Sequence, residues 1–364
     1  MEETSILNQD NLFLPEGYYL YSTKDSSIVN PTVTIKNGKP TEESYMVKVF
    51  KRNQNGNIII ENVTGFSKIS SNLAEKYVLA NNIDLSQYDL WTPIGWTETE
   101  DLALTGELDG NGKNITGLNC NYSSYSASNV GLFAINSGTI KNLKVTANEV
   151  YGDSNIGIIT GNNASNGLIE NCHISGTVKS LGSAGGGGGI AGQNSGTIRY
   201  SSAQTLVTGY FWTGGITGKN FGTIEQTYFI GSVNSTLTDN QVVNKKCKYI
   251  GGIAGGNTGT ISNSYAILTN FVKGYAGVGG IVGWYKNATM VNTYCAGTEN
   301  VYGAQYVGID FGYNAGGTSS ISGIKTYSTT NTGLTAIPSS YSGDLWDMNG
   351  QIYSSCPNLK NNPN

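Results

Sequence analysis

The sequence predicts an all-β chain built around a right-handed parallel β-helix. Three observations carry that prediction: a Gly-centred repeat, a period-two alternation locked to it, and a composition rich in turn formers. The repeat is seen in Val130-Gly-Leu-Phe, Ile156-Gly-Ile-Ile, Gly188-Gly-Ile-Ala-Gly, Gly214-Gly-Ile-Thr-Gly, Gly251-Gly-Ile-Ala-Gly, Gly279-Gly-Ile-Val-Gly and Val307-Gly-Ile-Asp. Its central apolar residues fall at 132, 158, 190, 216, 253, 281 and 309, at intervals of 26, 32, 26, 37, 28 and 28 residues. Four copies continue as Asn-x-Gly-Thr-Ile, beginning at Asn136, Asn194, Asn220 and Asn257. Such a period holds about three short strands and their corners, the content of one solenoid rung. About ten rungs spaced by ~4.8 Å would give a length on the order of 50 Å.

The alternation is read from a second apolar anchor in each rung: Ile115, Ile140, Ile169, Ile198, Ile224, Ile261, Met290 and Ile321. The third residue on is Leu118, Leu143, Cys172, Ser201, Thr227, Ser264, Thr293 or Ile324. The fifth is Cys120, Val145, Ile174, Ala203, Phe229, Ala266, Cys295 or Thr326. Both columns are apolar or small and are assigned to the interior, because strand side chains alternate between faces. Between them lie Asn119, Lys144, His173, Ser202, Tyr228, Tyr265, Tyr294 and Lys325, which the same rule sends to solvent. Asn142, Asn171, Asn263 and Asn292, two residues after the anchor, predict an asparagine stack at a corner.

Composition sets the limits. The 364 residues include 50 Gly, 23 Tyr and only 7 Pro, as expected for many short strands joined by tight turns, with no long helices. Charged residues are 13% and the net charge is -4, so no basic face for a phosphate backbone exists and nucleic acid is not an expected partner. No apolar run is long enough to cross a membrane as a helix. Five scattered cysteines (Cys120, Cys172, Cys247, Cys295 and Cys356) contain no CxxC pair, which argues against a zinc site and a disulfide framework. Residues 1 to 9 lack a signal sequence, and an export signal is expected to have been removed.

Four segments are expected. Residues 1–63 form a small antiparallel β unit, with strands near Tyr18 to Tyr21, Thr32 to Ile35, Tyr45 to Phe50 and Asn57 to Glu61, and turns at Asn37-Gly and Asn55-Gly. Residues 64–100 form a cap and lead-in, with a short helix and then a strand within Phe66 to Leu85, and bulky cover from Trp91 to Trp96. Residues 101–330 are the solenoid. Residues 331–364 close its far end, because an open sheet edge invites chain-to-chain pairing.

The repeats, together with Asn82-Ile-Asp-Leu-Ser, Trp91-Thr-Pro-Ile-Gly and Gly106-Glu-Leu-Asp-Gly-Asn-Gly-Lys-Asn-Ile, resemble those of bacterial surface proteins that carry the GLUG motif, typical of gut Bacteroidetes and Firmicutes. This chain uses Ile where the motif's name has Leu. The resemblance implies an exported or cell-surface protein, adhesive or glycan-binding, with a glycan or a host or cell-surface protein as its partner. Similar repeats accompany the metallopeptidases that cleave immunoglobulin A, but the zinc motif of those enzymes needs two histidines, and this chain has only His173.

The candidate binding residues are aromatic. Tyr228, Tyr265 and Tyr294 occupy one outward position on three consecutive rungs and predict a vertical stack open to sugars. Tyr210 and Trp212, with Trp284 and Tyr285, form two further aromatic groups at corners. The long interval between 216 and 253 predicts a loop over Asn234 to Lys248 that leaves the solenoid. Catalytic residues, metal ligands and cofactors are not expected. The acidic residues Asp153, Glu170, Glu225, Glu299 and Asp310 are read as falling at different rung positions, so they assemble no acid–base pair. The competing readings are a β-helix polysaccharide lyase or hydrolase and a trimeric virion fibre.

Overall fold

In a computed structural model the chain is a parallel β-solenoid of about eight turns with roughly 29-residue rungs, fewer turns than the ten expected. Residues 52–122, 127–182, 185–234 and 247–326 are described in full. Outside them only short backbone strands within 4–51, Lys325–Tyr327, Trp346–Asp347 and Asn358–Leu359 are described.

Each rung contributes to three faces. In one turn, Ser154–Ile156 lies in a seven-stranded face, Thr160–Asn163 in an eight-stranded face, and Leu168–Ser180 in the widest face, which gathers 18 strands. Pairing is parallel and in register from rung to rung: Ile140 over Ile169, then Ile198, Ile224, Ile261, Met290 and Ile321. The anchors Leu132, Ile158, Ile190, Ile216, Ile253 and Ile281 are fully buried, so the Gly-centred repeat marks the core. Glycine is required beside them by close approach. A Cβ on Gly215 would stand 2.2 Å from the Gly252 carbonyl and 2.3 Å from the Phe229 ring.

The third and fifth columns are interior as read, from Leu143 and Cys172 to Phe229 and Cys295. Ser201, Thr227 and Ser264 are tolerated there because their hydroxyls accept backbone N–H bonds from the preceding rung, at 3.1, 3.5 and 3.2 Å. Cys120, Cys172, Cys247 and Cys295 are buried free thiols, and burial pushes the Cys172 thiol up to about 12.

The first rung departs from the expected register. Leu108, not Ile115, lies against Ile140, while Ile115 pairs with Val145 and Cys120 with Val150. The Asp109-Gly-Asn-Gly turn belongs inside the rung: Asn111 takes the left-handed conformation (φ 50°) that corners require.

At the front, the helix lies earlier than expected, at Val63–Ser67, capped by the Asn62 side chain and followed by a 3-10 turn at Lys68–Ser71. Lys76–Leu79 is a strand. Strands at Tyr18–Ser22, Val33–Lys36 and Val47–Lys51 match the expected ones, and Lys39–Pro40 pairs back on Val33–Lys36 across Asn37-Gly. Ile58–Ile60 instead joins the solenoid, pairing in parallel with Lys76–Leu79. At the other end, Val307 and Ile309 are 43% and 53% exposed although Val278, the partner of Val307, is buried. The expected closure by residues 331–364 lies outside the described residues, except that Trp346–Asp347 pairs antiparallel with Asn358–Leu359.

Candidate functional site

The tyrosine stack exists, but it is not a surface. Tyr228, Tyr265 and Tyr294 stack with ring centroids 4.9 Å apart and planes within 4° and 6° of parallel, yet their exposures are 1%, 1% and 0%. The alternation reports which side of the sheet a residue takes, not whether that side is covered. Here both sides are: Tyr228 and Phe229, adjacent in sequence, are both buried. The stack is therefore a structural column, and the outward platform expected there is corrected.

The column continues toward the N-terminus as Ser202, His173, Lys144 and Asn114, which line a polar cleft of ≈ 200 Å³. His173 is not the isolated surface histidine expected. Its Nδ1 lies 2.8 Å from Ser202 Oγ and its Nε2 3.2 Å from Asn171 Oδ1. Burial, with help from the Lys144 charge, lowers its pKa to about 4. Serine beside neutral histidine resembles an activated nucleophile, but Ser202 is 3% exposed and the histidine's other nitrogen meets an amide rather than a carboxylate.

The acidic residues also need a correction. Glu170 and Glu225 share one rung position, in a column that runs Asp109, Lys141, Glu170, Arg199, Glu225. Signs alternate along it, with Lys141 bonded to Glu107 at 2.9 Å and Arg199 to Glu170 at 2.9 Å. With a cation between each pair of carboxylates, the column is an ion ladder rather than an acid–base pair. Among the described residues, no group of His, Cys, Asp and Glu could hold a metal ion.

What the structure brings together is Trp212 and Trp284, 72 residues apart in sequence. Their rings meet edge to face with centroids 5.2 Å apart. Two columns on neighbouring faces place them. The first runs Asn129, Asn155, Gly186, Trp212, Tyr249, Gly277, Tyr306 at a corner, where Trp212, Tyr249 and Tyr306 hold φ of 50°, 65° and 51°. Bulky residues rarely adopt this conformation, and it costs on the order of 1–3 kcal/mol each. In the earlier rungs Asn129 and Asn155 hold the same corner and bond side chain to side chain at 3.1 Å.

The second column, on the eight-stranded face, runs Gln193, Lys219, Gly256, Trp284, Tyr313. Gly256 leaves a gap that the Trp212 ring fills, since a Cβ there would stand 2.4 Å from Trp212 Cζ3. Gly277 receives Tyr249 in the same way, at 2.7 Å. The result is an aromatic belt crossing four successive rungs: Trp212 with Phe211, then Tyr249, then Trp284, then Tyr306 against Tyr313 at 4.7 Å. At ~4.8 Å per rung it extends about 14 Å along the axis.

Within the belt, Trp212, Trp284, Lys219, Phe221, Gly256 and Thr258 line a pocket of ≈ 260 Å³, floored by Asn220 and Asn257. Phe221 is 51% exposed. Two of the expected residues, Trp212 and Trp284, thus line the pocket. Tyr285 packs instead on Phe311 at 5.5 Å, and Tyr210 is half-buried outside the pocket. Sequence reading missed Lys219, Tyr249, Tyr306 and Tyr313; aligning the second residue before Gly214-Gly-Ile and Gly251-Gly-Ile would have put Trp212 and Tyr249 in one column. Gly256→Ala is expected to expel the Trp212 ring and shift the tryptophan emission, at a stability cost on the order of 1 kcal/mol. An unchanged emission spectrum would show that the ring does not depend on the gap. Of the expected loop over Asn234 to Lys248, residues 235–246 lie outside the described residues; Cys247 at its end is buried.

The stacked parallel rungs define the class of protein: a β-solenoid repeat scaffold, here with an aromatic pocket at one corner. No family model matches the chain. A crystal structure from Bacteroides ovatus, of a protein named provisionally as an immunoglobulin A1 protease, superposes with a TM-score of 0.57 over 85% of this chain and 94% of that one. At 19% identity this is a likeness of fold. Halomucin of Haloquadratum walsbyi is 43% identical over 76 residues, 20% of this chain and 1% of halomucin's own length. Among the described residues no helix is long and apolar enough to cross a membrane.

Proposed function

We propose that this chain is an adhesin-like, exported or cell-surface protein that binds glycans through the Trp212–Trp284 pocket. The observation that carries this reading is the pair of indole rings, 5.2 Å apart at 89°, beside a pocket of ≈ 260 Å³. Pyranose rings present C–H faces that pack on aromatic surfaces, and their hydroxyls need polar groups at the rim, a role open to Lys219 and Thr258. Trp212 and Tyr249 take, at a cost in stability, the left-handed corner that Asn129 and Asn155 hold in earlier rungs, so the corner itself does not call for aromatic rings. Display outside the cell is supported by the partial likeness to halomucin and by the resemblance of the repeats to those of bacterial surface proteins.

The test is a glycan array probed with the intact chain and with Trp212→Ala/Trp284→Ala, monitoring product release from the same polysaccharides. Binding by the parent that falls at least about 10-fold in the double variant, with far-UV circular dichroism unchanged, is the expected result, since one lost aromatic contact of 1.4 kcal/mol already gives that factor. Equal binding by both proteins would move the site elsewhere. Cleavage products would replace the adhesin by a polysaccharide-degrading enzyme, and a host-protein ligand would be left if no glycan bound.

A further inference from the structure

We infer that the Trp212–Trp284 pocket is the aromatic half of a longer strip, and that its ligand is a linear, uncharged polysaccharide bound along the solenoid axis. This rests on the glycan-binding reading and adds the ligand's length, direction and charge to it. The corner column and the face column run side by side well beyond the pocket. A glycine precedes each face residue, and a Cβ on Gly161 would stand 2.2 Å from the Asn129 Cα, one on Gly192 2.4 Å from the Asn155 Cα, and one on Gly283 2.6 Å from the Tyr249 carbonyl carbon. The same close approach therefore sets Asn162 beside Asn129, Gln193 beside Asn155 and Trp284 beside Tyr249. The corner column takes four rung steps from Asn129 to Tyr249, about 19 Å along the axis. A ligand that fills the pocket and also meets the amides must be an oligomer.

The half toward the N-terminus is built of amides with unused bonding capacity. Elsewhere in this chain amides stacked in register bond to one another, as Asn136 does to Asn163 and Asn171 to Asn142. Asn162 and Gln193 are also in register and half-buried, yet among the described residues neither side chain makes a hydrogen bond. Asn155 gives an N–H to Asn129, but its own oxygen accepts none among the described residues, since the next corner residue, Gly186, has no side chain to give one. An amide presents a donor and an acceptor in one plane, a match for neighbouring hydroxyls on a pyranose. The half toward the C-terminus offers ring faces instead. Both charged residues of the strip are occupied: Asp101 at its foot accepts from Asn129 at 2.8 Å, and Lys219, at the join of the two halves, is already engaged. A charged polymer would lose hydration there without gaining a free counter-charge, so the strip favours a neutral one.

Chain length separates the strip from the pocket. Neutral oligosaccharides from disaccharide to hexasaccharide (β-glucan, mannan and xylan types) are titrated calorimetrically into the intact chain, beside oligogalacturonates as the charged comparison. In at least one neutral series the hexasaccharide is expected to bind about 10-fold or more tightly than the disaccharide, the gain of one or two added hydrogen bonds. Asn162→Ala/Gln193→Ala removes no side-chain hydrogen bond of the fold among the described residues. It is expected to bring the hexasaccharide back to disaccharide affinity while leaving the disaccharide unchanged, whereas Trp212→Ala/Trp284→Ala weakens both. Affinity independent of length, or hexasaccharide binding unchanged in a folded amide variant, would overturn the strip while leaving the pocket as a glycan site. Binding of the charged oligomers alone would overturn the neutral ligand. No saccharide binding of any kind would remove the glycan reading and the strip with it.

Discussion

Tyr265→Ala is expected to destabilise the solenoid by about 3–5 kcal/mol, the usual cost of truncating a large buried aromatic. Tyr265 is the middle ring of the stack, with Tyr228 on one side and Tyr294 on the other, both at 4.9 Å. Removing it opens a cavity between two rings that cannot close it, because their backbones are pinned by ladder pairing at Tyr228 to Tyr265 and Tyr265 to Tyr294. Solenoid stability is close to a sum of rung and nearest-neighbour terms, so the loss falls on two interfaces at once. Tyr265→Phe keeps the stacked ring and is expected to cost much less. Urea unfolding of the three proteins decides the matter: a cost for alanine within about 0.5 kcal/mol of zero is what an exposed ladder would give.

Asn220→Ala is expected to cost about 3 kcal/mol, more than any surface substitution, because it breaks a buried amide chain and leaves its bonding partners on both sides unsatisfied. Asn136, Asn163, Asn194, Asn220 and Asn257 are essentially inaccessible to solvent. The first four each donate a side-chain N–H to the next side-chain oxygen, at 2.8, 2.7, 2.8 and 2.8 Å. Asn220 also donates to the Gly222 and Thr260 carbonyls, both at 3.2 Å, so its loss strips acceptors on two rungs. The chain stops at Asn257, where the next rung has Tyr285 and the buried Nδ2 of Asn257 finds no partner among the described residues. Asn257→Ala should therefore cost less than Asn220→Ala, since it removes fewer bonds. Thermal or urea unfolding showing the two equal would mean that the ladder's bonds do not set the stability.

The ladder could have been read from the sequence. Its members at 136, 194, 220 and 257 are the first residues of Asn-x-Gly-Thr-Ile, a motif visible by inspection. Polar residues are assigned outward by default, and the amide's ability to bond to its own copy one rung away was recognised only for the corner stack. That second stack is present: Asn171 donates to Asn142 at 2.9 Å and Asn292 to Asn263 at 3.3 Å, all four in left-handed backbone. It is interrupted at Tyr200 and Gln226, which hold the same conformation without the amide ladder's continuity.

By itself the sequence determined the solenoid, its rung length and the inward columns. These follow from local rules, the spacing of glycines and the two-residue alternation, repeated often enough that an error in one rung is outvoted by the others. The first rung, which has no neighbour before it in the repeat, is where the register slipped from Leu108 to Ile115. Tertiary structure alone decided which outward residues meet solvent. Burial of Tyr228, Tyr265 and Tyr294 depends on what covers the sheet, and the pocket depends on a corner column and a face column lying side by side. Gly256 leaves room for the Trp212 ring that meets Trp284, and Gly277, on a different face, leaves room for Tyr249. Periodicity along one column carries no information about the distance between two columns; the turn of the backbone at each corner sets that.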